Sequence, residues 1–280
     1  MIRPEIITSV IVHAGIFHAD DALAAALVLT AAGKDIPVKR CFSVPEELPD
    51  TVIVADIGRG KYDHHQDDAR CRADGSKYAA CGLLYEELQE YLFQTEDMRV
   101  DFLNRYIRPI EDADNGICNN PLTSLIDDMN PDWDRLEESD IRFHEAVKLF
   151  QNLIGEVQRR ERAALRSAEL LTRAIAEAEE RVVFLEKPIP WQKKVCQTDN
   201  LFVVYFSMRE EWTVHCVPIE PDSFTVRCPL HSMEEMEGCE FCHKGRFLAT
   251  FDSKAHALNA ARKCAREYVG QYPMSFTRNC

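Results

Sequence analysis

Near the N-terminus, apolar runs that end in a histidine or an acid alternate with a helical segment. The runs SVIVH (9–13) and TVIVAD (51–56) are typical of buried strands, and VKRCFS (38–43) is a further strand candidate. The segment ADDALAAALVLTAA (19–32) is typical of a helix that ends at Gly33. Strands that alternate with helices pair in parallel through right-handed crossovers. The pattern therefore predicts an α/β fold whose N-terminal part contains a parallel sheet.

Histidine and carboxylate side chains lie at or just past the ends of these strands. His13 and Asp56 each end a strand, YDHH (62–65) follows the second strand, and the first turn adds His18 and Asp20. Ligands of parallel sheets bind beyond the carboxyl ends of the strands. We therefore expect these side chains to face one crevice.

Each of these residues also has a structural explanation. Asp20 and Asp21 would stabilise a helix N-terminus, His13 would be a core residue, and Asp56 would cap a turn. Their combination at successive strand ends favours metal binding, because mixed imidazole and carboxylate donors suit divalent ions. Two ions bridged by Asp56 would bind phosphoryl oxygens and generate hydroxide near neutral pH. His65, which is not needed as a ligand, would face the phosphate.

A further acidic motif, IEDADNG (110–116), follows a mostly helical stretch. It supplies three candidate ligands, Glu111, Asp112 and Asp114. Negative charge at a helix C-terminus is unfavourable unless a positive group compensates it. A metal ion would provide that compensation.

The rest of the chain predicts a helical connector and a second domain. Residues 138–181 have helical periodicity with dense charge, and short β-like runs follow, among them SFTVRC (223–228). Ser253 is a suitable N-cap for a final helix. We predict a metal-binding catalytic domain over 1–137, a helical connector over 138–181, and a smaller mixed α/β substrate-binding domain over 182–280.

Charge and composition limit the partners. The net charge of −14 argues against broad electrostatic binding of nucleic acid or of an anionic membrane, so a polyanionic substrate needs a locally positive site. The longest apolar run is too short to span a bilayer. The N-terminus lacks a signal-peptide pattern, and the 11 cysteines are scattered. These features predict a cytoplasmic protein with reduced thiols and no membrane association.

Two closely spaced pairs of candidate ligands in the second domain allow another interpretation. Cys228 and His231, and likewise Cys239 and Cys242, have the spacing of a structural zinc site. Against this, Cys239 and Cys242 fall in a run that predicts a strand, where cysteine is commonly a small buried hydrophobe. The sequence leaves both interpretations open.

The motifs resemble those of a known superfamily. The order of HAGIFHADDA, VIVADIG, YDHH and IEDADNG is similar to that of the DHH phosphoesterases. The pieces HAGIFHADDALA, YDHHQ, DNGI, NPDW and CEFCHKGRFLATF resemble the branch of the melanocyte-proliferating-gene exonuclease, a metal-dependent 3′ to 5′ ribonuclease, and its bacterial relatives. The similarity extends over most of the chain.

The resemblance implies a ligand set. One metal would be held by His13, His18 and Asp56, and the other by Asp20, Asp56, His64 and Asp114. Manganese is the usual ion of the superfamily, with magnesium, zinc and iron(II) as alternatives. His18 stands where the wider superfamily has an aspartate, so the first site is richer in nitrogen. Asp114 is favoured over Glu111 and Asp112 because it directly precedes NGI.

The resemblance also implies that the second domain supplies cationic groups to the substrate. His243, Lys244 and Arg246 would bind phosphate, Arg246 through a bidentate fork and Lys244 as a point charge. The branch has small residues where Lys244 stands. An exposed basic turn without a ligand is the structural alternative.

The resulting prediction is a bimetal phosphoesterase that hydrolyses phosphodiester bonds, as a 3′ to 5′ exonuclease on short RNA or DNA. The alternatives are a pyrophosphatase-like hydrolase of a phosphoanhydride or nucleotide, and a noncatalytic metal-binding or regulatory protein. The expected partner is a phosphate-containing substrate, a short single-stranded nucleic acid. An exposed face of the connector would also be compatible with a homodimer.

Overall fold

A computed structural model of the protein describes residues 2–66, 68–231 and 235–271, with side chains through 268. The chain forms two compact units, Met1–Glu161 and Arg162–Cys280. Within the described residues, no helix is long and apolar enough to cross a membrane.

The first unit contains a three-stranded parallel sheet. Strand β1 (Ser9–His13) lies between β2 (Val38–Cys41) and β3 (Val52–Val54). Both pairings are parallel, so the carboxyl ends of the strands meet at one edge. The predicted N-terminal parallel sheet is confirmed.

Helices make up most of the rest of this unit. They are α1 (Ala19–Ala32), α2 (Ala80–Leu92), α3 (Glu96–Phe102), α4 (Arg108–Asp114), α5 (Pro121–Asp127) and α6 (Ser139–Ala176), which continues into the second unit. A π-helical turn, Leu103–Ile107, joins α3 to α4. Helix α1 is buried from Ala19 to Leu29 and ends where Gly33 adopts a left-handed φ of 62°. A helix that is apolar on every face belongs inside a core, and α1 packs there against α2.

The second unit contains a mixed five-stranded sheet. Its elements are β4 (Val182–Leu185), α7 (Gln192–Val195), β5 (Phe202–Phe206), β6 (Trp212–Cys216), β7 (Cys239–Cys242), β8 (Leu248–Phe251) and α8 (Lys254–Gln271). The strand order is β4-β5-β6-β8-β7, and only the β4–β5 pairing is parallel. Apolar residues of α8 pack against the sheet. The predicted mixed α/β character is confirmed.

Two details of this unit differ from the sequence prediction. SFTVRC (223–228) was expected to be β-like but forms a loop with one isolated bridge, Pro218 to Val226. The chain turns back because Asp222 adopts a left-handed φ of 66° and the Ile219 amide donates to the Thr225 carbonyl. Strand β8 was not predicted, although it lies between β6 and β7 in the sheet.

The start of α2 depends on a buried carboxylate from α4. Glu111 accepts the Ala79 amide at 3.1 Å and forms an ion pair with Arg72 at 2.5 Å. Gly82 makes room for this carboxylate, since a Cβ there would lie 1.6 Å from Glu111 Oε1. One of the three acids of IEDADNG therefore has a structural role.

Substitution Gly82→Ala is expected to lower the free energy of unfolding by about 1–3 kcal/mol, although alanine favours helix by about 1 kcal/mol. Displacing Glu111 would leave buried polar groups without partners. Urea denaturation followed by circular dichroism measures the change. The matched control is Gly155→Ala in α6, where the new Cβ would meet no atom within 4 Å apart from the adjacent backbone of its own helix. The free energy of unfolding of this variant should rise by about 0.5–1 kcal/mol. Equal effects of the two substitutions would contradict the assignment.

Candidate metal centre

An open cleft of about 1140 Å³ lies beyond the carboxyl ends of β1 and β3 in the first unit. The seven residues that were predicted to hold the metals or to face the phosphate all line the cleft: His13, His18, Asp20, Asp56, His64, His65 and Asp114. The cleft is also lined by neutral polar residues, among them Asn115, Asn119, Asn120 and Thr123, and by the charged residues Lys77 and Asp127. The crevice expected from a parallel sheet is thus present and carries the residues that the sequence analysis selected.

Asp56 lies at the centre of the cluster. It follows β3 with a left-handed φ of 57°, and its amide donates to the Tyr62 carbonyl at 2.9 Å. One carboxylate oxygen, Oδ2, lies 3.3 Å from His13 Nε2, and the other, Oδ1, lies 3.2 Å from His64 Nε2. A carboxylate with one oxygen toward each imidazole has the geometry of a bridging ligand.

His64 brings two further acids to the same point. Its Nε2 atom lies 3.1 Å from Asp114 Oδ2 and 3.9 Å from Asp20 Oδ2. Ligand atoms of Asp20, His64 and Asp114 lie within 4.8 Å of one another, as do those of Asp56, His64 and His65. The structure therefore brings together all four residues proposed for the second metal.

Asp20 is held rigidly because it also caps α2. Its Oδ2 and Oδ1 atoms accept the amides of Ala80 and Cys81 at 2.8 and 2.7 Å. A carboxylate at a helix N-terminus is favoured by the helix dipole. Asp20 is fully buried, so its position in the cleft is fixed by the fold.

The first predicted metal set is less complete. His18 precedes α1, and its ring centroid lies 5.7 Å from that of His13. Neither histidine belongs to a group of three converging ligand atoms among the described residues. Asp21 accepts the His18 amide through Oδ1 at 2.8 Å, and its Oδ2 lies 3.2 Å from His13 Nε2. Asp21 thus acts as the helix N-terminal acid that the structural explanation predicted, and in addition contacts His13.

Unpaired polar atoms test whether the site fits a cation. The buried atoms Asp21 Oδ2, Asp56 Oδ1 and His64 Nε2 lie close to other ligand atoms of the cluster, but none of these contacts has the geometry of a satisfied hydrogen bond. An unsatisfied buried polar atom costs about 1–3 kcal/mol. Carboxylate oxygens and imidazole nitrogens are the donors that divalent transition metals accept. The residues of the cleft therefore fit such an ion.

The pKa shifts in the cluster also indicate that the site favours a positively charged ligand. Burial alone would lower the pKa of His64, but Asp114, Asp56 and Asp20 outweigh it and raise the pKa to about 10. Burial and the charges of Asp56 and Asp114 raise the pKa of Asp20 well above its usual value. The buried carboxylates thus strongly favour positive charge, which a divalent cation supplies.

Asp63 fixes the orientation of His65. Its Oδ1 accepts the His65 amide at 3.0 Å and lies 2.8 Å from His65 Nδ1, while its Oδ2 accepts the Arg59 amide at 2.6 Å. The His65 side chain is 60% exposed, and its Nδ1 lies 3.5 Å from Asp56 Oδ1. Asp63 therefore positions a residue of the cleft, a role that sequence reasoning did not assign to it.

The three acids of IEDADNG have different surroundings. Asp114 lines the cleft and contacts His64, whereas Glu111 binds Arg72 and the start of α2. Asp112 is not among the described residues that line the cleft. This distribution favours Asp114 as the ligand of the three.

Arg40 is a further residue that sequence reasoning missed. Its guanidinium donates to the Gly15 carbonyl at 2.6 Å and to Ser139 Oγ at 2.8 Å, and it lies over the Phe17 and Phe143 rings. The side chain is 1% exposed. Arg40 thus holds the turn between His13 and His18. In VKRCFS it has no pattern that separates it from a surface cation.

The basic turn of the second unit lies between β7 and β8. His243, Lys244 and Arg246 are exposed. His243 Nδ1 accepts the Gly245 amide at 3.0 Å, which places the proton of a neutral imidazole on Nε2. The turn therefore presents three outward hydrogen-bond donors.

The proposed zinc ligands do not form a converging group in the parts of the chain that the structure describes. Cys228 is buried in the core of the second unit, and the His231 ring lies 2.8 Å from the Pro229 carbonyl. Cys239 and Cys242 lie in β7 and pack against the same core. The interpretation of these thiols as packing residues is favoured.

Comparisons with known proteins give a consistent family. The model of an uncharacterised protein family, MYG1_exonuc (UPF0160), matches residues 9–265. The MYG1 exonucleases of Homo sapiens and Rattus norvegicus are 26% and 25% identical to the chain, over 92% and 94% of it and 86% of each relative. A crystal structure of RecJ from Thermus thermophilus in complex with Mn²⁺ aligns with a TM-score of 0.33 and 16% identity, over 95% of this chain. The chain spans about half of that RecJ chain, 52%.

Proposed function

The chain belongs to the MYG1_exonuc family (UPF0160), and from this premise we propose that it is a metal-dependent phosphodiesterase. The match confirms the branch that the motifs resemble. We infer that the substrate is a short single-stranded RNA or DNA, shortened from 3′ to 5′, in keeping with relatives named exonucleases. The observation that carries the proposal is that ligand atoms of Asp20, Asp56, His64 and Asp114 converge around His64 Nε2 in the cleft.

Two divalent ions are proposed as cofactors. His13, His18 and Asp56 would hold one ion, and Asp20, Asp56, His64 and Asp114 would hold the other. Manganese is expected, with magnesium, zinc and iron(II) as alternatives. Bound ions would polarise phosphoryl oxygens and lower the pKa of water.

The chain itself positions the substrate around these ions. Asp63 holds His65 through Nδ1, which leaves Nε2 of the exposed ring available for a phosphate oxygen. The Asp20 side chain is fixed by α2 and Arg40 fixes the turn after β1, so the ligands are preorganised. Preorganised charge is the main source of stabilisation for a phosphoryl transition state.

The second unit is proposed to bind the phosphates of the substrate. His243, Lys244 and Arg246 would donate to phosphate oxygens, which a chain of net charge −14 needs at a local site. In this proposal residues 1–137 are catalytic, 138–181 connect, and 182–280 bind substrate. A cytoplasmic location and a homodimer through the exposed face of α6 are part of the same proposal.

A hydrolysis assay tests the function. Purified protein with Mn²⁺ is incubated with 5′-labelled RNA and DNA of one short sequence, with the same oligomers carrying a 3′-phosphate, and with pyrophosphate. We expect stepwise shortening of unblocked oligomers, because the ligand cluster suits phosphodiester hydrolysis. Turnover of pyrophosphate alone would replace the proposal by a small-substrate hydrolase. Two bound metals per chain without any turnover would indicate a noncatalytic metal-binding protein.

A further inference from the structure

We propose that the second unit carries a nucleobase-stacking platform beside its basic turn. The platform consists of Phe224, Phe241, His243 and Phe247, and its occupant is the base of a single-stranded nucleic acid whose phosphates lie on Lys244 and Arg246. This inference rests on the proposed function and specifies how the substrate is recognised.

The four rings form a continuous series. The Phe224 and Phe247 centroids are 6.4 Å apart, those of Phe247 and His243 are 4.3 Å apart, and those of His243 and Phe241 are 6.4 Å apart. Aromatic pairs at such distances stabilise one another. The series therefore presents neighbouring ring faces and edges on the part of the surface that contains the basic turn.

Exposure of the outer rings has no packing explanation. Phe224 is 88% exposed and Phe241 is 51% exposed. Phe224 lies in a loop with its own backbone hydrogen bonds, from Ile219 to Thr225 and from Ser223 to Glu220. A register irregularity interrupts the β7–β8 pairing between Cys239 and Phe241, and such bulges redirect side chains. The fold thus holds apolar rings in solvent on ordered backbone.

Charge decides between possible occupants. Lys244 and Arg246 adjoin the rings in sequence and are exposed, as are the acids Asp222 and Glu240. Arg227 instead donates to the carbonyls of Thr198 and Asn200. Aromatic rings beside cations that follow a backbone are the features by which proteins bind single strands without reading sequence. A purely apolar partner would leave both cations unmatched. The occupant is therefore a single-stranded nucleic acid.

The test measures binding of a single-stranded oligomer of about six nucleotides, and of an abasic oligomer of equal length, by fluorescence anisotropy. All binding measurements use the full chain with the additional substitution Asp56→Asn, which is expected to make hydrolysis of the oligomer negligible. We expect Phe224→Ala to lower the affinity for the base-bearing oligomer about tenfold and the affinity for the abasic oligomer less than about twofold. Arg246→Ala should lower the affinity for both oligomers by a similar factor. Phe224→Trp should retain binding, and the control Met208→Ala, which replaces a side chain that is 93% exposed, should change neither.

Two outcomes overturn the platform. In one, Phe224→Ala binds the base-bearing oligomer with the affinity of its parent. In the other, the substitution lowers the affinity for both oligomers by the same factor. Hydrolysis by the otherwise unmodified protein separates this failure from that of the proposed function. If the protein shortens oligomers but Phe224→Ala has no base-dependent effect, only the platform is wrong. If the protein leaves every oligomer intact, the proposed function is wrong as well.

Discussion

Replacement of Asp56 by asparagine is expected to lower oligonucleotide turnover by about three orders of magnitude while the protein stays folded. Asp56 contacts His13 through one oxygen and His64 through the other. Asparagine offers one weaker oxygen donor and no charge, so it cannot bridge two cations. Loss of the bridge should remove at least one metal ion per chain.

Asparagine tests the role of the Asp56 carboxylate better than alanine does, because asparagine tolerates the backbone conformation of this residue. Asp56 has a left-handed φ of 57°, a conformation that asparagine tolerates and that alanine adopts only with strain. The charge change also has compensating effects in the metal-free protein. The two imidazoles lose a partner, but Asp20 is freed from a neighbouring negative charge that raises its pKa. We therefore expect the free energy of unfolding to change by no more than about 1 kcal/mol.

The measurements are metal content by elemental analysis, turnover of a labelled oligomer, and urea denaturation of the metal-free protein. A matched control is Asp222→Asn, which makes the same chemical change at a left-handed φ of 66° in the second unit. The control should keep the metals and turnover of the parent. Two metals and undiminished turnover in Asp56→Asn would remove Asp56 from the site.

Much of this cleft was predictable from the sequence because its residues lie next to strand ends. His13 and Asp56 follow apolar runs of recognisable length, and parallel pairing brings such ends together whatever the rest of the chain does. The short segments that contain the residues of the cleft, such as YDHH, were then enough to show the resemblance to the DHH phosphoesterases. Periodicity does not select Asp114, because three acids share one helix and helical geometry alone does not rank them.

Other features depend on contacts between distant segments. Arg40 reaches Gly15 and Ser139, and the Gly15 contact makes this cation part of the turn between His13 and His18. Strand β8 has a short apolar run, and one of its two neighbours in the sheet, β6, lies far from it in the chain. The loop around Phe224 resembles a strand in composition, but the left-handed Asp222 reverses it. None of these contacts has a periodic or local signal.

The three acids of IEDADNG separate in function, and single substitutions should show it. Asp114→Asn is expected to lower turnover by about a hundred- to a thousand-fold, since its carboxylate lies 3.1 Å from His64 Nε2 in the cleft. Asp112→Asn removes the same charge two residues away and should stay within about twofold of the parent. Elemental analysis of both variants shows whether the loss of turnover is accompanied by a loss of bound metal.

Glu111→Gln completes the series with a different expected loss. The Arg72 side chain is 10% exposed and pairs with Glu111, which is 2% exposed, so the neutral amide leaves a largely buried cation unpaired. Breaking a buried pair in this way costs about 3–5 kcal/mol. Urea denaturation should show that loss, whereas Asp114→Asn should leave the midpoint near that of the parent. If Asp112→Asn lost turnover as Asp114→Asn is expected to, or if Glu111→Gln lost metal without losing stability, the assignment of the ligand to Asp114 would be wrong.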